Sequence, residues 1–279
     1  MTVIVVTDAS ARLPMALRES LGIREVPLHV LLDGVDLRDG VDDIPQDIYR
    51  MPATTAAASP AELGEAYRRA LADSGGGAGS GVVAVHLSAA LSGTYGAAER
   101  AAAALGPAVR VVDSRSAAMG VGFVALAAAR AAAAGDDLET VARVAYSAAS
   151  RVQAFIVVHR LDNLRRSGRI GGAQAWLGTA LALKPLLRLE DGKLVLAQRV
   201  RTVKNATAAM LDRVCEIVGD RSASLAVHHV ANLVGAQEVA AALAQRLPTC
   251  EPAIVTELGP VLALHVGVGA VAVCVELPA

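Results

Sequence analysis

The chain is punctuated by short Val-rich runs, and a longer stretch with helical spacing follows each of them. Val3–Val6, Val82–Val85 and Val109–Val112 are almost wholly apolar, as strands buried on both faces are. After the first, Pro14 precedes a helical stretch, Met15–Leu21, that Gly22 closes. Ahead of the second, Ser59, Pro60 and Glu62 make a capping box that opens another helix. Beyond the third, a long helix runs to Ala134, and Asp136–Asp137 starts one with Leu138, Val141, Val144 and Ala148 on a single face. Between these, Ile23–Leu32 reads as one strand, with Pro27 at an edge or a bulge. Asp33–Gly34 is a turn, and an acidic loop through Asp42–Asp43 leads to a short helix containing Ile48 and Tyr49. Thr54–Thr55 then opens a loop of small polar residues. Strand and helix alternate through about the first 150 residues, which predicts a mostly parallel sheet covered on both faces.

The rhythm then changes. Ala154–Val158 is a strand, and His159–Arg160 leads into a short helix ending at Ser167–Gly168. Ala173–Leu183 is helical and stops at Lys184–Pro185. Leu186–Leu189 and Leu194–Val200 flank Asp191–Gly192, a strong hairpin signal. Two helices, Thr202–Val218 and Gly235–Leu247, enclose a strand at Ser224–His228, and the tail carries apolar runs at Val261–Val266 and Val271–Val275. Hairpins with helices on one side predict an α+β second domain with a largely antiparallel sheet. The fold class is α/β with two domains, 1–153 and 154–279.

One joint draws the chemistry. From Val82 to Ala98 the chain passes from strand to helix through Ser92, Gly93, Thr94 and Tyr95. An open α/β sheet holds its ligand at such a place, outside the carboxyl ends of its strands. Ser92 suits an N-cap, Gly93 permits close approach to the backbone, and the first helical amides are free for an anion. An ordinary capped joint reads the same way. Arg165, Arg166 and Arg169, around Gly168, are either a solvated helix end or an anion clamp.

Composition narrows the function. Lys and Arg number 26 against 27 Asp and Glu, a net charge of -1, so nothing favours nucleic acid or an anionic membrane as partner. Hydrophobic residues make up 54% but aromatics only 3%, so the core must be Ala, Val and Leu. Cys215, Cys250 and Cys274 form no C-x-x-C pair and read as buried free thiols of a reducing cytosol. The first apolar run has no basic lead and meets Asp8 at once, so it reads as a strand and not as a signal peptide. Ala117–Ala134 carries Arg130 and is mostly Ala, a soluble helix, and the expected location is cytoplasmic.

Two stretches imitate a dinucleotide fingerprint, Gly120–Val121–Gly122 with Ala125 and Gly267–Val268–Gly269 with Ala272. The first sits within a helix and the second precedes a strand, so both fail the strand–turn–helix context that the mechanism needs. No Walker-type loop or nucleophile elbow is present, and His228 and His229, being adjacent in a strand, point to opposite faces. A Ser92–His265–Asp113 hydrolase set can be assembled, as it can in any chain this long.

Several segments in this order resemble the DegV family, fatty-acid-binding proteins that serve as lipid carriers for bacterial fatty acid kinase. They are Val6–Pro14, Thr55–Leu63, Leu87–Tyr95, Val111–Gly122, Leu161–Gly172, Leu181–Leu194 and Gly259–Val273. The resemblance implies a two-domain protein that holds one long-chain fatty acid between its domains and uses no metal or other cofactor. By correspondence, Thr55, Ser92 and His265 hold the carboxylate, with Thr54, Gly93, Thr94 and Gly267 in support. Arg169 and Arg201 match family basic residues and are assigned to docking of an ATP-dependent fatty acid kinase or to the phosphate. Transient contact with membrane enzymes is also implied. Departures are Ala57 and Ala58 for the family's Gln and Pro, Ala9 for a second Ser, and Val268 for Pro. The loss of the Gln leaves the loop near Thr55 with fewer hydrogen bonds and makes Thr54 its alternative.

The carrier competes with a serine esterase using Ser92 and His265, and with a lipid-sensing regulator that has no kinase partner. The physical chemistry favours a carrier: a fatty carboxylate needs donors but little net charge, and walls of Ala, Val and Leu leave room for a chain.

Overall fold

The computed structural model describes residues 2–170 and 184–279, so the helix expected over 173–183 lies outside the described residues. Strands β1 (Val3–Asp8) and β2 (Arg24–Val26), separated by helix α1 (Met15–Ser20), belong to an all-parallel sheet. The chain then leaves this sheet for an antiparallel one of three short strands, β3 (His29–Leu32), β4 (Val35–Arg38) and β5 (Thr54–Ala56). Pro27 falls between β2 and β3, so Ile23–Leu32 is two strands in two sheets and not one. Thr54–Thr55 is likewise no loop: Thr55 pairs with Val30 in the β3–β5 ladder. A three-residue polar strand carries too little period-two pattern to be read from sequence.

Helix α2 (Pro60–Asp73) has the full capping box, Ser59 accepting from the Glu62 amide and the Glu62 carboxylate accepting from the Ser59 amide. Strand β6 (Gly81–His86), helix α3 (Thr94–Ala103), strand β7 (Val109–Asp113) and helices α4 (Met119–Ala133) and α5 (Leu138–Arg151) complete the first half. The parallel sheet runs β2-β1-β6-β7. Alternate residues of its buried strands face opposite helix layers. Val6, Val82 and Ala84 pack with Leu63 and Tyr67 of α2 and Ala98 of α3, whereas Val5, Val83 and Val85 pack with Val121, Val124 and Val141 of α4 and α5.

A second sheet is built from β8 (Val152–Val157), β9 (Leu186–Glu190), β10 (Lys193–Gln198), β11 (Ser224–His229), β12 (Ile254–Glu257) and β13 (Val271–Glu276). Its order is β10-β9-β8-β13-β11-β12, antiparallel except for the β11–β12 pair. Helix α6 (Asp162–Arg166) follows β8. The β9–β10 hairpin turns at Asp191 and Gly192, both at positive φ, as a two-residue turn between twisted strands demands. Helices α7 (Val203–Val218) and α8 (Leu233–Arg246) cover the outer face, and α9 (Gly259–Val266) precedes β13. The run Val261–Val266 is therefore helical, opened by Gly259–Pro260 and stopped at Gly267. Cys274 is buried as expected, but Cys215 and Cys250 are only half-buried.

Helix α4 joins the halves. It contacts β1 and β6 on one side and β8 and β13 on the other, and Met119–Leu126 is buried throughout. A helix apolar all round is a buried one, and this one needs small residues to fit. A Cβ on Gly122 would stand 2.9 Å from the Ala11 carbonyl oxygen. The first G-x-G thus serves close packing. At the amino end of α4, the Met119 N–H donates to His228 Nε2 at 3.1 Å, and His228 Nδ1 donates to Thr256 Oγ1 at 2.9 Å.

Burial, and then the charge of Arg12, pushes His228 down to about 3. The unfolded chain takes up this proton below about 6.5 while the folded one does not. Stability should therefore fall as pH drops from about 6.5 towards about 3, by up to about 1.4 kcal/mol per pH unit from this group. Urea denaturation at successive pH values should give a shallower decline for His228→Gln, which keeps an acceptor but does not titrate. An equal slope in the variant would contradict the buried cap.

Candidate functional site: an apolar cavity with a polar mouth

Between the two sheets lies a cavity of about 160 Å³. Its walls come from the loops after β6 and β7 (Leu87, Leu91, Ala117), from β8 and β13 (Ala154, Ile156, Ala272), from the β9–β10 hairpin (Leu189, Leu194) and from α9 (Val261, Leu262). Apart from the Cys274 thiol, the polar side chains on its wall among the described residues are Thr55, Ser92, Arg169 and His265. Thr55, His265 and Arg169 also line a groove of about 260 Å³ shared with Tyr49, Thr54, Asn163 and Arg166. These three groups stand where an apolar chamber meets a polar opening.

Each is held by a different part of the sequence. The β3–β5 ladder fixes Thr55, whose Oγ1 shares a 2.9 Å hydrogen bond with His265 Nε2 from the last turn of α9. Thr54, next along the strand, is exposed and lines only the outer groove. Arg169 donates from Nε to the Leu91 carbonyl at 3.2 Å and from Nη1 to the Ser167 carbonyl, so its guanidinium is pinned beside Ser92. Burial, and then the charge of Arg169, pushes His265 down to about 4, so the imidazole is neutral at neutral pH.

Ser92 does not occupy the N-cap position. Gly93 does, without a side-chain cap, and Ser92 Oγ accepts from the Thr94 amide at 3.2 Å and bonds Thr94 Oγ1 at 2.9 Å. A serine two residues before an amide closes a local turn of this kind, so the Thr94 amide is not free for an anion. Gly93 lines the cavity, and Thr94 is fully buried.

Beneath this loop the carboxylate of Asp8 accepts from His86 Nδ1 at 2.9 Å, from the Leu87 amide at 3.0 Å and from Ser10, while His86 Nε2 and Tyr67 OH lie 2.6 Å apart. Burial opposes the charge on Asp8, but the bonds and charge of His86, with those of Ser10 and Leu87, outweigh it and hold the carboxyl below its ordinary value. This network ties the ends of β1 and β6 to the start of the cavity loop. Ser88 Oγ ties the same loop to the hairpin turn, donating to the Gly192 carbonyl at 2.8 Å.

Other expected residues lie elsewhere. Arg201 is exposed ahead of α7 and lines neither space, and Arg169, assigned to docking or phosphate, turns inward to the cavity. Arg165 and Arg166 are exposed at the end of α6, and Arg166 also borders the outer groove, so the arginine cluster divides between the solvated Arg165, the groove and the inward Arg169. Gly267 caps α9, its N–H donating to the Ala263 carbonyl, and lines neither space. No hydrogen bond links Ser92 to His265 among the described residues, and Asp113 accepts instead from the Ala89 and Arg115 amides. Asn163 and Tyr49 of the groove were not singled out in the sequence; Asn163 lies in the same LDNLRRSGRI stretch as Arg169. Among the described residues no group of three His, Cys, Asp or Glu side chains is arranged to hold a metal. None of their helices is long and apolar enough to cross a membrane.

Fold and cavity define a two-domain α/β protein with an apolar chamber and a hydroxyl–imidazole–guanidinium mouth. A family model described as "Uncharacterised protein, DegV family" matches residues 2–277, and the chain belongs to the DegV family. A DegV domain-containing protein of Mycobacterium tuberculosis is 72% identical over 279 residues, covering 100% of this chain and 99% of its own. A DegV family protein of Thermus thermophilus, described for its fatty acid binding, is 34% identical with a TM-score of 0.89, and each chain is covered to 100%. DegV of Bacillus subtilis, a fatty acid binding protein, is 26% identical with a TM-score of 0.88, again over 100% of both chains.

The neutral state of His265 can be checked directly. In a side-chain NMR titration it should take up its proton near pH 4, not near 6.5. Arg169→Gln should raise that value without restoring the ordinary one, because burial remains. Titration near 6.5 in the unaltered protein would contradict the geometry of the mouth.

Proposed function

We propose that this protein binds one long-chain fatty acid, its chain in the apolar cavity between domains 1–153 and 154–279 and its carboxylate at Thr55, Ser92 and His265. The observation that carries the proposal is the cavity itself, apolar along its walls and ending in three donors and a cation. Thr54, Gly93, Thr94 and Gly267 support those donors through the backbone they share. Arg169 supplies the counter-charge from beside Ser92. Each buried methylene contributes about 0.8 kcal/mol, which suits a carrier that retains its lipid.

The outer groove makes the carboxylate end the reachable end. Through it the protein presents the acid to a separate ATP-dependent fatty acid kinase in the cytoplasm, and the resulting acyl phosphate passes on in transient contact with membrane enzymes. Arg201, exposed ahead of α7, serves docking of that kinase. The protein performs no step of the chemistry itself.

Mass spectrometry of the organic extract from purified, folded protein should find a fatty acid in equimolar amount. Ser92→Ala should weaken its retention roughly tenfold, as the loss of a hydrogen bond to a charged group implies. Protein that purifies without lipid from a fatty-acid-rich host, or a Ser92→Ala variant with unchanged retention, would defeat the assignment. Labelling of Ser92 by a fluorophosphonate would point instead to an esterase.

A further inference from the structure

The wall that the second sheet gives to the cavity is uneven, and its relief follows the register of β8 and β13. Ile156 stands opposite Ala272, and two residues further along the same face Ala154 stands opposite Cys274. All four line the cavity. On β9, Leu187 pairs with Ile156, and Leu189 and Leu194 of the hairpin line the cavity as well. Isoleucine and leucine thus flank a cross-strand pair of small side chains. The opposite face of the same strands is filled, Val157 and Val273 packing with Met210, Val214 and Val239 of α7 and α8.

Strand β8 leads into α6, and α9 leads into β13. Arg169 follows α6 and His265 lies on α9, so these strand ends are the ones next to the mouth. Ile156 and Ala272 are the nearer pair, and Ala154 and Cys274 lie about 7 Å deeper, two residues along the strands. Neither Ala154 nor Cys274 borders the outer groove. Over the deeper pair lies the start of α4: Cys274 Sγ is 3.8 Å from the Ala117 carbonyl oxygen, and Ala117 and Ala118 line the cavity. That cover is held in place, because the Met119 amide donates to His228, the residue of β11 paired with Ala272. Protein interiors are packed to crystal density, so with cover and strands fixed the free depth is what the side chains leave. Burial pushes the Cys274 thiol up to about 12, and it stays protonated as a small apolar group.

We propose that the Ala154–Cys274 pair selects the acyl chain: its two small side chains leave the space for the far carbons, and a larger side chain at either position excludes the longer acids. This assignment rests on the fatty-acid reading of the cavity. Thr55, Ser92 and His265 set where the carboxylate stops, so filling the deeper end shortens the acid from its methyl end.

The test is to measure binding of dodecanoic, hexadecanoic and octadecanoic acids to the full chain, stripped of lipid. Ala154→Leu should bind hexadecanoic acid roughly tenfold more weakly than the unaltered protein, and dodecanoic acid within about threefold of it. Cys274→Ala only removes the sulfur and cannot overpack the site. It should raise the affinity for octadecanoic acid relative to dodecanoic acid by roughly threefold. Val273→Ala, on the opposite face of β13, should leave that ratio unchanged. Unaltered protein that binds none of these acids would defeat the fatty-acid reading and this assignment with it. Unaltered protein that binds them, with the ratio unmoved in Cys274→Ala or moved equally in Val273→Ala, would overturn this assignment alone.

Discussion

A polar group can stand at the end of an apolar chamber only if the protein already satisfies it, because an unpaired donor or acceptor out of water is costly. Thr55, His265 and Ser92 in the mouth of this cavity obey that constraint. Thr55 and His265 satisfy each other, Ser92 is satisfied by Thr94, and Arg169 is anchored by two of its N–H groups to the carbonyls of Leu91 and Ser167. A carboxylate placed there exchanges existing bonds for new ones. The site is preorganised, and little ordering of side chains has to accompany binding.

The rest of the molecule follows from holding those partners in register. Thr55 comes from a three-stranded sheet, His265 from α9, Ser92 from the loop after β6 and Arg169 from the turn after α6. Elements so distant in sequence stay aligned through two devices. One is the Asp8–His86–Tyr67 network, fully buried, which fastens the loop before Ser92 to strand β1. The other is α4, whose Ala and Gly surface lets both sheets approach it closely, and whose amino end is capped from the second sheet by His228. A chain with 3% aromatics can reach native packing density only through such close approach of backbones.

Much of this was legible in the sequence, and the remainder has physical reasons. The Val-rich runs, the capping box at Ser59 and the Asp191–Gly192 turn each express a local rule, so the parallel sheet, α2 and the β9–β10 hairpin were readable. Strands β4 and β5 are four and three residues long, set by pairing with β3 and not by any pattern of their own. The division of Ile23–Leu32 at Pro27 follows from which neighbour each half meets, a non-local fact. In the site, the hydroxyls, the glycine and the histidine were named, but the direction of Arg169 was not. An arginine after a helix end reads as solvated unless something draws it inward. Here the Leu91 carbonyl does so, 78 residues away.

Electrostatics explains why the mouth combines a neutral imidazole with a guanidinium. Arginine keeps its charge at any depth a protein offers, whereas histidine gives up its proton on burial. With His265 held near pKa 4, the ring adds no positive charge to those of Arg169 and of Arg166 on the groove. A protonated His265 beside Arg169 would set two cations together in a low-dielectric space and destabilise the empty mouth. The neutral ring avoids that repulsion and still has a nitrogen to hydrogen-bond. Approach of an anion would offset the charge of Arg169, the smaller of the two causes that lower the ring's pKa. Burial, the larger of the two causes, would remain, so the ring would stay neutral near pH 7 with the anion in place.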